Sequence, residues 1–150
     1  MAVAVFKGSI NGTVHFTEIG EKVNILINLS GLKINGYHGF HVHTYGDLTD
    51  GCNSACSHFN PYNKTHGCPG MENRHVGDLG NIRSDMFGNA NYITEDNVIK
   101  LSGECNIIGR MLIIHEDKDD CGQGNNEESL KTGNAGKRIS CAVIGYAKNC

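Results

Sequence analysis

The chain has 150 residues, the length of one ordinary domain, with 39% hydrophobic and 19% charged residues. This composition excludes a disordered chain, and no apolar run approaches the roughly 20 residues of a membrane-spanning helix. With 13 Lys and Arg against 16 Asp and Glu, the formal charge is −3. Without basic runs, such a chain is a poor candidate for binding nucleic acid or an anionic membrane. We predict one globular domain, residues 1–150, with neither as a partner.

The first residues, Met1 to Lys7, contain no basic region. Their apolar stretch is too short for a secretory signal and is typical of a first β-strand. We therefore expect a cytoplasmic protein.

Short apolar segments separated by turn residues continue along the chain. Val23, Ile25, Ile27 and Leu29 alternate with mostly polar neighbours, the period of a half-buried strand. Pairs such as Asn11-Gly12 are turn signals. The eight candidate strands are Val3–Phe6, Thr13–Thr17, Val23–Leu29, Phe40–Thr44, Asn91–Thr94, Val98–Leu101, Met111–His115 and Cys141–Ala147. This pattern predicts an all-β sandwich or barrel.

Two long stretches lack the strand pattern: 45–85, and 116–137 with its Gly- and Asn-rich sequence. Loops of this length in one compact domain usually have a function or are cross-linked internally.

Metal-ligand residue types are concentrated in and beside these loops. His41 and His43 are two residues apart in a predicted strand, so they share a face, whereas His38 has the opposite parity. The other candidates are His58, His66, His75 and Asp78 in the first loop and His115 at the end of a later strand. Binding a metal would stabilise such a loop, because metal binding contributes directly to folding.

The donor types restrict the metal. Three His and one Asp fit a closed tetrahedral zinc site, and an imidazole set on a sheet face favours tetragonal Cu(II). Six His and one Asp exceed the needs of one such ion. The pattern therefore favours two ions over one.

Longer motifs resemble a known family. His38-Gly39-Phe40-His41-Val42-His43 and Gly133-Asn134-Ala135-Gly136-Lys137-Arg138-Ile139-Ser140-Cys141 are similar to the two signatures of the copper/zinc superoxide dismutases. Between them, His58-Phe59-Asn60-Pro61, Arg74 to Asn81 and Ile107 to Arg110 also resemble the family. The resemblance implies an eight-stranded antiparallel Greek-key β-sandwich or barrel, immunoglobulin-like, with two long functional loops. It also implies disproportionation of superoxide to O₂ and H₂O₂ as an antioxidant defence.

The resemblance also implies ligand roles, with one copper and one zinc per chain. The copper ligands would be His41, His43, His58 and His115. The zinc ligands would be His58, His66, His75 and Asp78, so that His58 bridges the two ions. Asp119 would accept hydrogen bonds from His41 and His66 and connect the two sites.

The remaining implied roles concern the substrate. Arg138 would hold the incoming superoxide anion beside the copper, and His58 would take part in catalysis. Glu127, Glu128 and Lys131 would lie in an electrostatic guidance loop, with Thr132 at the channel mouth.

The family's intramolecular disulfide would join Cys52 and Cys141. Five further cysteines depart from the family pattern: Cys56, Cys68, Cys105, Cys121 and Cys150. Drift at buried or surface positions is the simpler interpretation, and a second disulfide or redox sensing is the alternative.

Tyr45 and Tyr146 resemble positions of the family's dimer interface, with Gly46, Ile108 and Gly109, so we expect a homodimer. A copper chaperone is a further expected partner. The main functional hypothesis is an active superoxide dismutase. The alternative is a catalytically silent copper- and zinc-binding homologue that buffers copper or intercepts a copper chaperone.

Overall fold

The computed structural model describes residues 1–150, which form eight β-strands and two short helical turns. The strands are β1 (Ala2–Phe6), β2 (Asn11–Ile19), β3 (Lys22–Ser30), β4 (Tyr37–His43), β5 (Asp78–Arg83), β6 (Ala90–Asp96), β7 (Met111–His115) and β8 (Arg138–Tyr146). A 3₁₀ turn spans Asn53–Ala55, and the helix α1 spans Ser129–Thr132. No helix has the length and apolar character needed to cross a membrane.

All strand pairs are antiparallel, in the order β5-β4-β7-β8-β1-β2-β3-β6. The neighbours β3–β6 and β4–β7 are far apart in the chain, as in Greek-key connections. The sheet curls into a nearly closed barrel, as predicted. Its interior holds one cluster of 24 buried apolar residues, including Phe6, Phe16 and Phe40.

Seven of the eight predicted strands are present, but the strand predicted at Val98–Leu101 is wrong. Ile99 is buried there, yet only an isolated bridge from Lys100 to Asn106 forms. The carboxylate of Asp96 accepts hydrogen bonds from the backbone N–H groups of Val98 and Ile99, at 3.0 and 2.9 Å. Because a side chain satisfies these donors, the segment turns instead of pairing with a strand.

The loop predicted from 45 to 85 contains a strand, β5, that the sequence pattern did not predict. Its sequence DLGNIR includes Gly80 and Asn81, which are poor strand formers. Pairing with β4 stabilises the strand, and the pairing shifts register between Gly39 and His41. Gly80 has φ of +78°, which suits glycine because it has no Cβ.

Strands β5 and β6 lie at the two ends of the strand order and are not hydrogen-bonded to each other as a ladder. Side-chain contacts bridge this seam of the barrel instead. The backbone N–H of Arg83 on β5 donates to the hydroxyl of Tyr92 on β6 at 3.2 Å. Buried Arg74, from the loop before β5, bonds Asp96 on β6 at 2.6 Å. Arg74 also donates to the carbonyls of His75 and Val76 at 3.1 and 2.8 Å. This ion pair therefore fastens the loop to the seam.

We expect Asp96→Ala to lower the free energy of unfolding by about 3–5 kcal/mol, because the buried Arg74 charge loses its partner. The neighbouring Glu95→Ala is the matched control, since Glu95 pairs with Lys22 on the exposed surface; it should cost about 1 kcal/mol or less. Urea unfolding of both variants measures the difference, and equal effects would contradict the role given to Arg74.

Candidate metal centre

Strands β4 and β7 supply the rigid part of the site. His41 and His43 project from β4 and His115 ends β7, and all three are buried. Gly39 allows close packing here, since a Cβ at this position would lie 2.6 Å from the Cβ of Ala135. His38 lies outside the cluster, as its parity predicted, and donates from Nδ1 to the His115 carbonyl at 2.7 Å.

The first long loop folds back onto β4 and adds His58, His66 and His75, which are also buried. The N–H of Phe59 donates to the Val42 carbonyl at 2.9 Å, and His43 and His58 form an isolated β-bridge. Side chains that are far apart in sequence therefore meet beside the strand.

Four imidazoles, those of His41, His43, His58 and His115, form one cluster with mutually close ring nitrogens. In three of them the outer nitrogen is engaged. The Nδ1 of His43 donates to the Cys56 carbonyl at 2.7 Å and that of His115 to the Gly136 carbonyl at 3.1 Å. The Nε2 of His41 is 2.5 Å from Asp119. The inner nitrogens converge, and those of His43 and His115 are 3.3 Å apart.

Asp78 organises a second cluster on the other side of His58. Its Oδ1 accepts from the Nδ1 of His58 at 2.8 Å and of His75 at 3.1 Å, and its Oδ2 lies 3.0 Å from the Nδ1 of His66. The N–H groups of Gly67 and His75 also donate to Oδ2, at 3.0 and 2.7 Å. The two ring nitrogens of His58 thus face different clusters.

The ligand atoms of one four-residue group, His41, His58, His66 and Asp78, lie within 4.8 Å of one another. This group contains His41, whereas the family resemblance implies His75 as the remaining zinc ligand. The Nδ1 of His75 nevertheless lies 3.2 Å from that of His58, and the outer nitrogen of His41 is engaged by Asp119. His75 therefore joins the second cluster through Asp78 and His58.

Asp119 contacts one imidazole of each cluster. Its Oδ1 lies 2.8 Å from the Nε2 of His66, while its Oδ2 contacts His41. Its position is fixed by Asn81, whose side chain exchanges two hydrogen bonds with the Asp119 backbone at 2.7 and 3.0 Å. The N–H of Cys121 donates to Oδ1 at 2.7 Å. Asn81 ends the family-like stretch from Arg74, but no sequence pattern assigned it a role of its own.

Four buried ring nitrogens have no hydrogen-bond partner: the Nδ1 of His15, of His41 and of His66, and the Nε2 of His58. Burying such polar atoms without a partner is unfavourable. Three of the four, those of His41, His58 and His66, belong to the two clusters, and metal-bound His characteristically donates its other ring N–H to a carbonyl or carboxylate. The donor set fits two nitrogen- and oxygen-ligated ions that share His58.

The surroundings set the protonation of these groups. Burial lowers the pKa of His41 and of His43 well below the usual value, and lowers that of His115 to about 4. Burial raises the pKa of Asp78, but its three imidazole neighbours outweigh this and hold the pKa well below its usual range. Burial lowers the pKa of His66, but Asp119 and Asp78 raise it to about 9.

An open pocket of about 1030 Å³ leads to the clusters. Its charged lining residues are Lys64, Lys131, Lys137, Arg138 and Glu128, so positive charge predominates locally in a chain of net charge −3. The sequence assigned no role to Lys64, and Lys137 entered only as part of the second family signature.

Arg138 begins β8 and lies opposite His115 in the ladder. Its guanidinium donates from Nη1 to the Cys52 carbonyl at 2.7 Å and from Nη2 to the Cys56 carbonyl at 2.5 Å. These bonds fix the guanidinium at the pocket wall.

The predicted guidance residues lie in and just before α1. Glu128, Lys131 and Thr132 line the pocket. Glu127 does not line it, but its carboxylate lies 3.0 Å from the Lys131 ammonium. The Thr132 hydroxyl donates to the Glu128 carboxylate at 2.9 Å.

Two disulfides cross-link the loops. Cys52–Cys141 is formed as predicted and ties the first loop to β8. Cys68–Cys121 joins the two long loops, so the second-disulfide alternative holds for this pair. Cys56, Cys105 and Cys150 are free.

Comparison with known proteins agrees with this geometry. The family model described as copper/zinc superoxide dismutase (SODC) matches residues 10–144. A protein of Paramecium bursaria Chlorella virus 1 named superoxide dismutase [Cu-Zn] is 62% identical over 98% of this chain and 79% of its own length. A Candida glabrata protein of the same name is 49% identical over 96% of each chain.

A solved structure described as that of the clock protein EA4 superimposes with a TM-score of 0.93 at 46% identity, covering 96% of this chain and 92% of the other. The shared fold, the family match across residues 10–144 and the two clusters lead to one conclusion. The chain belongs to the copper/zinc superoxide dismutase family.

Proposed function

We propose that the protein is a superoxide dismutase that converts two superoxide anions and two protons into O₂ and H₂O₂. The observation that carries the proposal is the pair of buried ligand clusters that share His58 at the base of a positively lined pocket. Family membership and the names of the relatives support the same activity.

We assign copper to the all-imidazole cluster and zinc to the cluster that contains the carboxylate. The copper donors would be the Nδ1 of His41 and the Nε2 of His43, His58 and His115. The zinc donors would be the Nδ1 of His58, His66 and His75 with a carboxylate oxygen of Asp78. When bound, copper supplies one-electron exchange with superoxide, whereas zinc is redox-silent and has a structural role.

His58 is the residue through which the two sites communicate. Its Nε2 faces the copper donors and has no hydrogen-bond partner within the protein. Its Nδ1 is oriented by Asp78. Nε2 can therefore hold a proton at the floor of the pocket, where a reduced oxygen species needs one.

Arg138 binds the anion and orients it. Its guanidinium is already anchored to two backbone carbonyls, so it presents its charge without a large loss of side-chain entropy. Lys64, Lys131 and Lys137 extend the positive field along the pocket wall. Such a local field raises the capture rate of an anion even when the whole protein is negative.

We propose a homodimer formed through the surface at Tyr45 and Tyr146, which are 56% and 82% exposed. Gly46 permits close packing there, since a Cβ would lie 2.1 Å from the Gly109 carbonyl oxygen. A cytoplasmic location and delivery of copper by a chaperone are also proposed. A 51% identical relative from Brugia pahangi is named extracellular, so location varies among relatives.

The direct test is superoxide dismutation per copper atom in protein whose copper and zinc have been counted. We expect fast turnover at one copper and one zinc per chain, and an activity loss of about 100-fold or more in His41→Ala, which removes a copper donor. His15→Ala is the control, because His15 lies on β2 outside both clusters. Full copper loading with negligible turnover would instead identify the silent metal-binding homologue.

Arg138→Glu should keep both metals and lower kcat/KM by about 10- to 100-fold, because it places a negative charge where the anion is held. The wild-type rate should fall as ionic strength rises, and the variant should lose this dependence. Arg83→Glu, an equal charge change at an exposed position on β5, should leave the rate within about twofold. Unchanged kinetics in Arg138→Glu would remove its capture role.

Asp78→Ala should abolish zinc binding at this centre, since it removes a proposed zinc ligand and four hydrogen-bond donors lose their acceptor. Copper should still bind through three imidazoles that the strands hold in place. Asp85→Ala is the matched control, because Asp85 also accepts backbone hydrogen bonds in a turn but lies away from the clusters. Metal analysis after dialysis gives the zinc and copper stoichiometries. Full zinc occupancy in Asp78→Ala would overturn the zinc assignment.

A further inference from the structure

The Cys68–Cys121 disulfide is placed symmetrically about the hydrogen bond between His66 and Asp119. Cys68 follows His66 by two residues, and Cys121 follows Asp119 by two residues. The Nε2 of His66 and the Oδ1 of Asp119 are 2.8 Å apart. The disulfide and this hydrogen bond therefore close one small ring that contains a proposed zinc ligand and the carboxylate that orients it.

A backbone hydrogen bond of Cys121 further restricts the conformation of this ring. Its N–H donates to the same Oδ1 of Asp119 at 2.7 Å. Cys121 has φ of +58°, in the left-handed region, which is unfavourable for a residue with a Cβ. The surrounding bonds thus hold the residue in a conformation that it would not adopt alone.

The two proposed metal sites depend on this ring to different extents. His41 lies on β4, so strand pairing with β5 and β7 fixes its backbone. His66 lies in an irregular loop and is held by its N–H bond to the Leu130 carbonyl, by Asp78 and by the ring. Loosening the ring therefore releases His66 much more than His41.

We propose that Cys68 and Cys121 are positioning residues for zinc: their disulfide fixes the Asp119–His66 pair, so zinc affinity is high when the disulfide is formed and falls when it is reduced. This rests on the zinc assignment proposed above. Reduction by a dithiol breaks the S–S bond and gives two thiols. The dithiol supplies two electrons and two protons and becomes a disulfide itself.

The zinc dissociation constant of the copper-free full chain, measured by chelator competition, should rise about 10- to 100-fold in the double variant Cys68→Ser/Cys121→Ser, the usual effect of losing groups that orient a metal ligand. Cu(II) affinity, measured in the same way, should stay within about threefold. Cys105→Ser/Cys150→Ser is the matched control, since it removes two free thiols and no cross-link. Unchanged zinc affinity would overturn the proposal. An equal loss of zinc and copper affinity would also overturn it, because it would identify a general fold staple.

A second measurement needs no substitution at the disulfide. Linkage requires that zinc and the disulfide stabilise each other by the same factor. In wild-type protein titrated with a dithiol buffer, zinc should make Cys68–Cys121 about 10- to 100-fold harder to reduce, as followed by mass spectrometry of alkylated peptides. No effect of zinc on this equilibrium would overturn the proposal.

Two further variants show which part of the proposal a negative result would contradict. Asp119→Asn should cost zinc affinity in the wild-type background and much less in Cys68→Ser/Cys121→Ser, because both changes release the same contact; additive losses would contradict an action through Asp119. If Asp78→Ala protein keeps its zinc, the proposed zinc site is wrong. If Asp78→Ala loses zinc while the double cysteine variant keeps it, only the positioning role fails.

Discussion

Six imidazoles and two carboxylates lie buried side by side, and the need to give each of them a partner determines the path of both long loops. An ionised carboxylate without partners is very costly to bury. Asp78 therefore takes hydrogen bonds from two imidazoles and two backbone N–H groups, with the His66 ring 3.0 Å away, and Asp119 takes them from two imidazoles and the Cys121 N–H. These bonds leave the loops little freedom, although they contain almost no regular secondary structure.

Two kinds of structure hold the side chains of the metal centre in place. His41, His43 and His115 belong to paired strands, where the ladder and the buried core fix the backbone. His66 and His75 belong to a loop that is held by cross-links and side-chain bonds. A redox ion changes its preferred geometry with its charge, so it benefits from rigid donors, whereas a structural ion can organise its own loop. The division of support thus matches the division of chemistry proposed for the two ions.

The sequence predicted most of the strands, and the face of β4 on which its histidines lie, because both depend on local rules. Period two placed His41 and His43 on one face and His38 outside the cluster. The missed strand β5 depends on pairing with β4 despite Gly80 and Asn81, and the absent strand at 98–101 depends on the Asp96 carboxylate. Neither effect is visible in a local window. The division of the ligands into a copper set and a zinc set came from the family resemblance, because residue spacing alone does not show which ring nitrogens lie close together.

The loop beside the seam between β5 and β6 also affects whether molecules of the protein associate in concentrated solution. Each strand pairs on one side only, so its other side carries backbone groups able to recruit a strand from another molecule. Pro69 and Gly70 of the loop lie beside β6, and Arg74 fastens the same loop to Asp96. We therefore expect that disorder of this loop would expose the edge of β6 and favour strand pairing between molecules.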